Sequence, residues 1–225
     1  MLKSFLKKVA NSTTNDSLAA SLRRKRFRHF LKLVEQFGGK SLVILDIGGW
    51  ERFWEIQNFA DTSHQIILLN TTKFTTQHSG ISSIVGDARD LSNFPDHSVD
   101  IVFSNSVIEH LETFENQIKM ANEVRRIGKT YFVQTPSYYF PMEPHFLFPF
   151  FHWLPIPTRT FLVQHFSFGY FKKQATKEEA EKLVREHHLL KRRELHSLFP
   201  DAQLITERFM GFTKSYIAVK SEGAG

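Results

Sequence analysis

The stretch VILDIGGWERFW, residues 43 to 54, runs from an apolar strand into Asp46 and then into the pair Gly48 and Gly49. A buried strand ending in an acidic residue and glycines is a place where the backbone turns sharply and can come close to a ligand. Trp50 and Arg52 then stand where further small residues are usual in such a turn. The reading of this stretch depends on what flanks it.

Upstream, Asp16 and Ser17 are placed to cap a helix running to about Phe37, with Gly38 and Gly39 stopping it. Phe27, Phe30, Val34 and Phe37 give that helix an apolar stripe. SLVILDI (41 to 47) is continuously apolar, as a strand buried on both faces must be. Downstream, HQIILLN (64 to 70), ISSIVGD (81 to 87), VDIVFSNS (99 to 106) and KTYFVQTP (129 to 136) read as further strands, with a helix from about Thr113 to Ile127. AQLITERF and TKSYIAVK, flanking Met210 to Phe212, read as a closing hairpin, and the tail SEGAG as frayed. Strands alternating with helices predict a mainly parallel α/β sheet, Rossmann-like and doubly wound, with helices on both faces and right-handed crossovers. The expected organisation is one domain over residues 1–225, with a helical extension at 1–40 and an insertion at 138–175.

Composition narrows the function classes. With 225 residues, 41% of them hydrophobic, the chain can bury a substantial core. The absence of cysteine excludes a disulfide framework and thiolate metal sites, and a cytoplasmic setting is expected. No apolar run approaches the roughly 20 residues of a membrane span, and MLKSFLKKVANSTT lacks the apolar core of a secretion signal. The net charge of +6 is concentrated in LRRKRFRHF (22 to 30), RRIGK (125 to 129) and KRRE (191 to 194). No nucleic-acid motif accompanies it, so a solvated helix face is the expectation rather than specific nucleic-acid binding.

Between Tyr138 and Phe171 lie thirteen aromatic residues, and prolines at 141, 144, 149, 155 and 157 forbid a long regular helix through much of the segment. It reads as a cover over an acceptor pocket, or as a surface for peripheral contact with a membrane or partner. TKEEAEKLVREHHLLKRRELHSLF (176 to 199) reads as helical, with Thr176 and Glu179 as a capping box. His187 and His188, adjacent on that helix, would point in different directions, and no metal site is expected.

Three motifs at strand ends, LDIGG (45 to 49), GDARDL (86 to 91) and VDIVFSNSVIEHL (99 to 111), resemble in order and spacing the class I S-adenosylmethionine-dependent methyltransferases, in particular the type 11 group. The resemblance runs from about Ser41 to Lys220 and implies S-adenosylmethionine as cofactor. It assigns Asp46, Gly48 and Gly49 to the methionine end of the cofactor, Asn70 to the ribose, Asp87 to the adenine amino group with the Ala88 backbone alongside, and Asn105 to the same cofactor site. The usual turn D-x-G-x-G-x-G keeps only Asp46 and Gly48 here, which leaves Gly49 to absorb any strain. Trp50, Phe53 and Trp54 are expected to pack the next helix on the sheet, at least two of them in that role.

His110 would either face the acceptor or serve only to start a helix. Glu143 and His145, directly after strand five, would either supply a general base or anchor the insertion. Tyr138 and Tyr139 would contact the acceptor, a small molecule or glycan-type compound, and a base there favours O- over N-methylation. Two other readings compete. A nicotinamide-dependent oxidoreductase needs G-x-G-x-x-G and an acidic residue about 20 positions later, and Trp50, Phe53 and Asn70 fail both. A non-catalytic binding module would share the fold.

Overall fold

The computed structural model describes residues 18–221, so the helix cap expected at Asp16 and Ser17, the first residues of the 1–40 extension and the end of the SEGAG tail lie outside it. The elements in order are α1 (Leu18–Glu35), β1 (Val43–Ile47), α2 (Glu51–Ile56), β2 (Gln65–Asn70), β3 (Ile81–Val85), β4 (Val99–Asn105), α3 (Phe114–Ile127) and β5 (Gly128–Pro136). They continue with β6 (Met142–Glu143), β7 (Phe148–Pro149), α4 (Ile156–His165), α5 (Lys177–Arg185), α6 (Arg192–Leu198), β8 (Gln203–Phe209) and β9 (Phe212–Lys220), with short 3-10 turns at Ile108–His110 and Phe151–Trp153.

Seven strands form one sheet in the order β3-β2-β1-β4-β5-β9-β8. β1 pairs in parallel with both β2 and β4, and β9 alone runs against its neighbours β5 and β8. The order reverses between β1 and β4, and in such sheets ligands lie outside the carboxyl ends of the strands at that point. Successive side chains of a strand face opposite sides, and the core divides accordingly. Leu45, Ile47, Val102, Tyr131 and Val133 face α3 and α6, while Ile44, Ile101, Phe103 and Phe132 face α1 and α2. Phe27, Phe30 and Leu33 of α1, and Phe37 just beyond its end, are buried on that second face, with Val34 packed beside them. A phenylalanine so buried contributes roughly 1.5–3 kcal/mol, enough to hold a helix with a strongly basic outer face to the sheet.

The segment expected to be one helix over 176 to 199 is two. The capping box forms at Thr176, whose hydroxyl accepts from the Glu179 N–H at 3.1 Å. The helix then stops at Arg185, because the backbone beyond is claimed by other elements. His188 N–H donates to the Glu109 carbonyl, Gln117 Nε2 donates to the His188 carbonyl, and Tyr138 N–H donates to the Leu190 carbonyl. His187 and His188 therefore sit in an extended connector, not on a helix. The insertion is irregular, with a two-residue hairpin β6–β7 and the short helix α4 after Pro155. It has a small core of its own, in which Phe146, Phe151 and Val163 pack against Ala180 and Val184 of α5.

Candidate functional site

At the end of β1, Gly48 has φ +71° and its N–H donates to the Leu69 carbonyl at 2.8 Å. A Cβ at Gly48 would lie 2.6 Å from Val107 Cγ2, and one at Gly49 would lie 1.8 Å from Asp46 Oδ2. Gly48 thus carries the left-handed turn, whereas Gly49, expected to absorb strain, is needed for the space it leaves to a carboxylate. Trp50 has ordinary extended backbone, φ −130°, and its ring lies on the surface, stacked on Phe74 at 4.5 Å. Arg52 is exposed and paired with Glu55 at 2.7 Å. The residues in the later glycine positions are tolerated because the chain has already turned at Gly48 and enters α2 at Glu51. Trp54 is fully buried and Phe53 packs beside it, so these two pin α2 to the sheet and Trp50 does not.

Asp46 is 2% exposed, and its Oδ2 accepts from Trp54 Nε1 at 2.8 Å. Burial pushes its carboxyl up to about 8, against the opposing effect of the Trp54 hydrogen bond. Asn70, at the end of β2, donates from Nδ2 to the Gly49 carbonyl at 2.7 Å and so fixes the turn, leaving Oδ1 as an acceptor. Asp87 lies after β3 beside the buried Ala88, with both carboxylate oxygens accepting from Arg89, at 2.6 Å for the shortest contact. The Arg89 hydrogen bond holds the Asp87 carboxyl below the usual carboxylate range. Asn105, at the end of β4, accepts from Arg26 Nη1 at 2.7 Å. All these residues sit along one edge of the sheet.

Val107, which closes over Gly48, leads directly into the 3-10 turn carrying Glu109 and His110. There His110 meets His145, with ring centroids 4.7 Å apart, and both meet His187 from the connector, at 5.0 and 4.4 Å. Glu143 is 1% exposed, and its carboxylate accepts from His145 Nδ1 and from the backbone N–H groups of His145 and Phe146. Burial alone would lower His145, but the Glu143 hydrogen bond and charge outweigh it and hold it above the ordinary histidine value. Burial also lowers His187 and pushes His110 down to about 3, with the neighbouring His145 adding to both.

Two residues in this cluster escape a reading of the sequence. Glu109 is fully buried, one oxygen accepting from Thr135 and the other without a hydrogen-bond partner among the described residues, and burial pushes its carboxyl up to about 7. His187 is hidden because it reads as a helix residue. Next to His187 opens a cleft of about 600 Å³, walled by Tyr138, Trp153, Leu154, Ile156, Arg159 and Lys191 among others. Tyr138 thus faces the cleft, with Lys191 over its ring at 5.1 Å, whereas Tyr139 is half exposed and absent from the cleft lining.

Residues 57–131 match a family model described as a methyltransferase domain. Curated relatives match over a short segment. An uncharacterized protein of Mycobacterium tuberculosis is 38% identical over 50 residues, which is 22% of this chain and 17% of that protein. The aligned part therefore spans about a sixth of the relative's length. Among solved structures, magnesium protoporphyrin IX methyltransferase from Synechocystis PCC 6803, determined with bound SAH, superposes with a TM-score of 0.53 at 9% identity, covering 98% of this chain and 95% of that one. A possible exported protein from Bordetella parapertussis gives 0.52 at 11% identity, covering 97% and 79%. The sheet order, the turn after β1 and the family match over residues 57–131 agree: the chain carries a methyltransferase-domain segment and has the Rossmann-like fold of the class I methyltransferases.

Proposed function

We propose that the protein transfers a methyl group from S-adenosylmethionine to a hydroxyl of a small-molecule or glycan-type acceptor. The observation that carries this reading is the continuity, through Val107, between the glycine turn under a buried Asp46 and the histidine and carboxylate cluster at the ends of β4 and β5. Asp46, Gly48 and Gly49 would hold the amino-acid end of the cofactor, Asn70 the ribose through its free Oδ1, and Asp87 with the Ala88 backbone the adenine. Asn105 would complete the same pocket.

The sulfonium already carries its leaving group, so the protein's main task is alignment for in-line displacement. The acceptor oxygen forms its bond to the methyl carbon as the carbon–sulfur bond breaks, and the hydroxyl proton leaves toward the cluster. His145, with Nδ1 committed to Glu143, presents Nε2 to that hydroxyl, and His110 lies beside it. Tyr138 and the cleft next to His187 would receive the rest of the acceptor, the aromatic walls suiting a sugar or other ring face. The insertion 138–175 acts as the cover of this pocket.

Calorimetry with S-adenosylmethionine, S-adenosylhomocysteine and NAD tests the cofactor. Binding of the first two is expected, and Asp46→Ala and Asp87→Ala should each weaken it in a folded protein. Unchanged affinity in both variants sinks the site assignment, NAD binding alone points to an oxidoreductase, and binding of none of the three points to a non-catalytic module. His145→Ala should lower turnover far more than cofactor affinity.

A further inference from the structure

The histidine cluster has a geometry that methyl transfer as such does not require. We propose that His110, His145 and His187 form a binding site for one divalent transition-metal ion, zinc being the best match. Each offers one imidazole nitrogen, and the three lie within 4.8 Å of one another. They come from three separate segments, the turn after β4, the insertion and the connector after α5, so no local repeat brings them together.

Their second contacts are those of metal ligands. His145 Nδ1 is 2.8 Å from a Glu143 carboxylate oxygen, and His187 Nδ1 is 3.0 Å from the Leu183 carbonyl. A ligating imidazole ordinarily donates its other N–H to a carboxylate or carbonyl, which fixes the tautomer and the ring direction. Both Nε2 atoms are thereby left free. Glu143 is itself pinned by two backbone N–H groups, and Gly169 is packed so closely on the His145 carbonyl that a Cβ there would lie 2.5 Å from it.

Tetrahedral zinc, with Zn–N near 2.0–2.1 Å, sets its nitrogen ligands about 3.3 Å apart. Closing from at most 4.8 Å requires shifts of up to roughly 1.5 Å, and His110, whose ring has no hydrogen bond among the described residues, is the freest of the three to rotate. With no cysteine in the chain, an all-imidazole set suits zinc among the divalent ions, and three protein ligands leave a fourth position open. His110 lies at the surface side of the cluster with its ring packed against His145 and His187, so the open position would be reached from that side. An acceptor hydroxyl bound there would lose its proton to solvent before attacking the methyl carbon, meeting the ion instead of the His145 ring. That use rests on the methyl-transfer reading, whereas ion binding does not.

The test titrates the metal-stripped full chain with Zn²⁺ alone against a chromophoric chelator, and with Co²⁺ for its ligand-field spectrum. One equivalent should bind without S-adenosylmethionine, and Co²⁺ should give the bands of a four-coordinate site. His110→Ala and His187→Ala should each weaken binding at least 100-fold with unchanged circular dichroism, and Glu143→Gln by about 10–100-fold through His145. His165→Ala, away from the cluster, should bind as the parent does. Absence of a stoichiometric site, or undiminished binding in both His110→Ala and His187→Ala, overturns the proposal. Calorimetry of the stripped protein with S-adenosylmethionine separates the two readings: cofactor binding without a zinc site removes the metal alone, and a zinc site without cofactor binding removes methyl transfer alone.

Discussion

Asp46 and Gly49 form a pair in which each residue dictates the other. A carboxylate buried under the turn needs the volume that a Cβ at residue 49 would fill, so Gly49→Ala should displace Asp46, lower stability by at least about 2 kcal/mol in urea unfolding and abolish cofactor binding. Gly38→Ala makes a control: its φ is positive, +62°, but no atom of the described residues lies within 4 Å of the added Cβ, so a loss nearer 1 kcal/mol is expected with binding intact. Asp46 also makes stability depend on pH. Its folded value, about 8, lies above the 3.8 of an ordinary aspartate, so the folded chain holds the proton more tightly. The contribution is fully present below about 4, and is lost as pH rises through about 8. Stability of the parent relative to Asp46→Asn should therefore fall between pH 5 and about 8.5. Equal pH profiles for the two proteins would show that Asp46 ionises normally in the fold. The turn's acidic residue and glycines were legible in the sequence because each is a local signal. Which glycine takes the positive φ was not, because Val107 and Asp46 decide it through space.

Among the elements, α1 carries a charge pattern that reads as a solvated face, yet one of its arginines is built into the sheet. Arg26 donates to Asn105, Glu207 and Ser215, joining α1 to β4, β8 and β9 at the edge where the candidate cofactor site lies, and its pair with Glu207 is 11% exposed on both sides. Arg26→Met would leave a nearly buried carboxylate without its cation, a loss of about 2–4 kcal/mol. Arg26→Lys should recover little, because one ammonium cannot span three partners as a guanidinium does. Chemical unfolding of the two variants decides this, and a full rescue by lysine would reduce the network to simple charge. The strands were legible nearly to the residue, since buried parallel strands are continuous apolar runs between turn residues. The break after Arg185 was not. The capping box and helical periodicity argue for continuation, and what ends the helix is competition for backbone by Glu109, Gln117 and Tyr138, residues far away in the chain. The same distance hid the meeting of His110, His145 and His187.

At the scale of the whole molecule, a large sheet core is joined to the insertion's smaller one through the connector, by His188 to Glu109, Gln117 to His188 and Tyr138 to Leu190, and directly by Phe140 against Phe209 and His145 against His110. No described helix is long and apolar enough to cross a membrane. The net charge of +6 predicts only weak DNA binding that falls steeply with salt, and tight sequence-selective binding at physiological salt would contradict it. Small cores open first, so amide exchange in residues 138–185 should be faster than in β1, β4 and β5. His110 belongs to the sheet side, His145 to the insertion and His187 to the connector, so an ion shared by all three would tie the two cores together. Binding only the closed arrangement at 100 times its dissociation constant adds about 2.7 kcal/mol to the cost of opening. Zn²⁺ should then slow exchange across the insertion by roughly 100-fold while leaving the sheet interior, which opens only on global unfolding, much less changed in relative terms. The slowing should vanish in His187→Ala. Exchange in the insertion that ignores Zn²⁺ in the parent protein would show that no ion links the two cores.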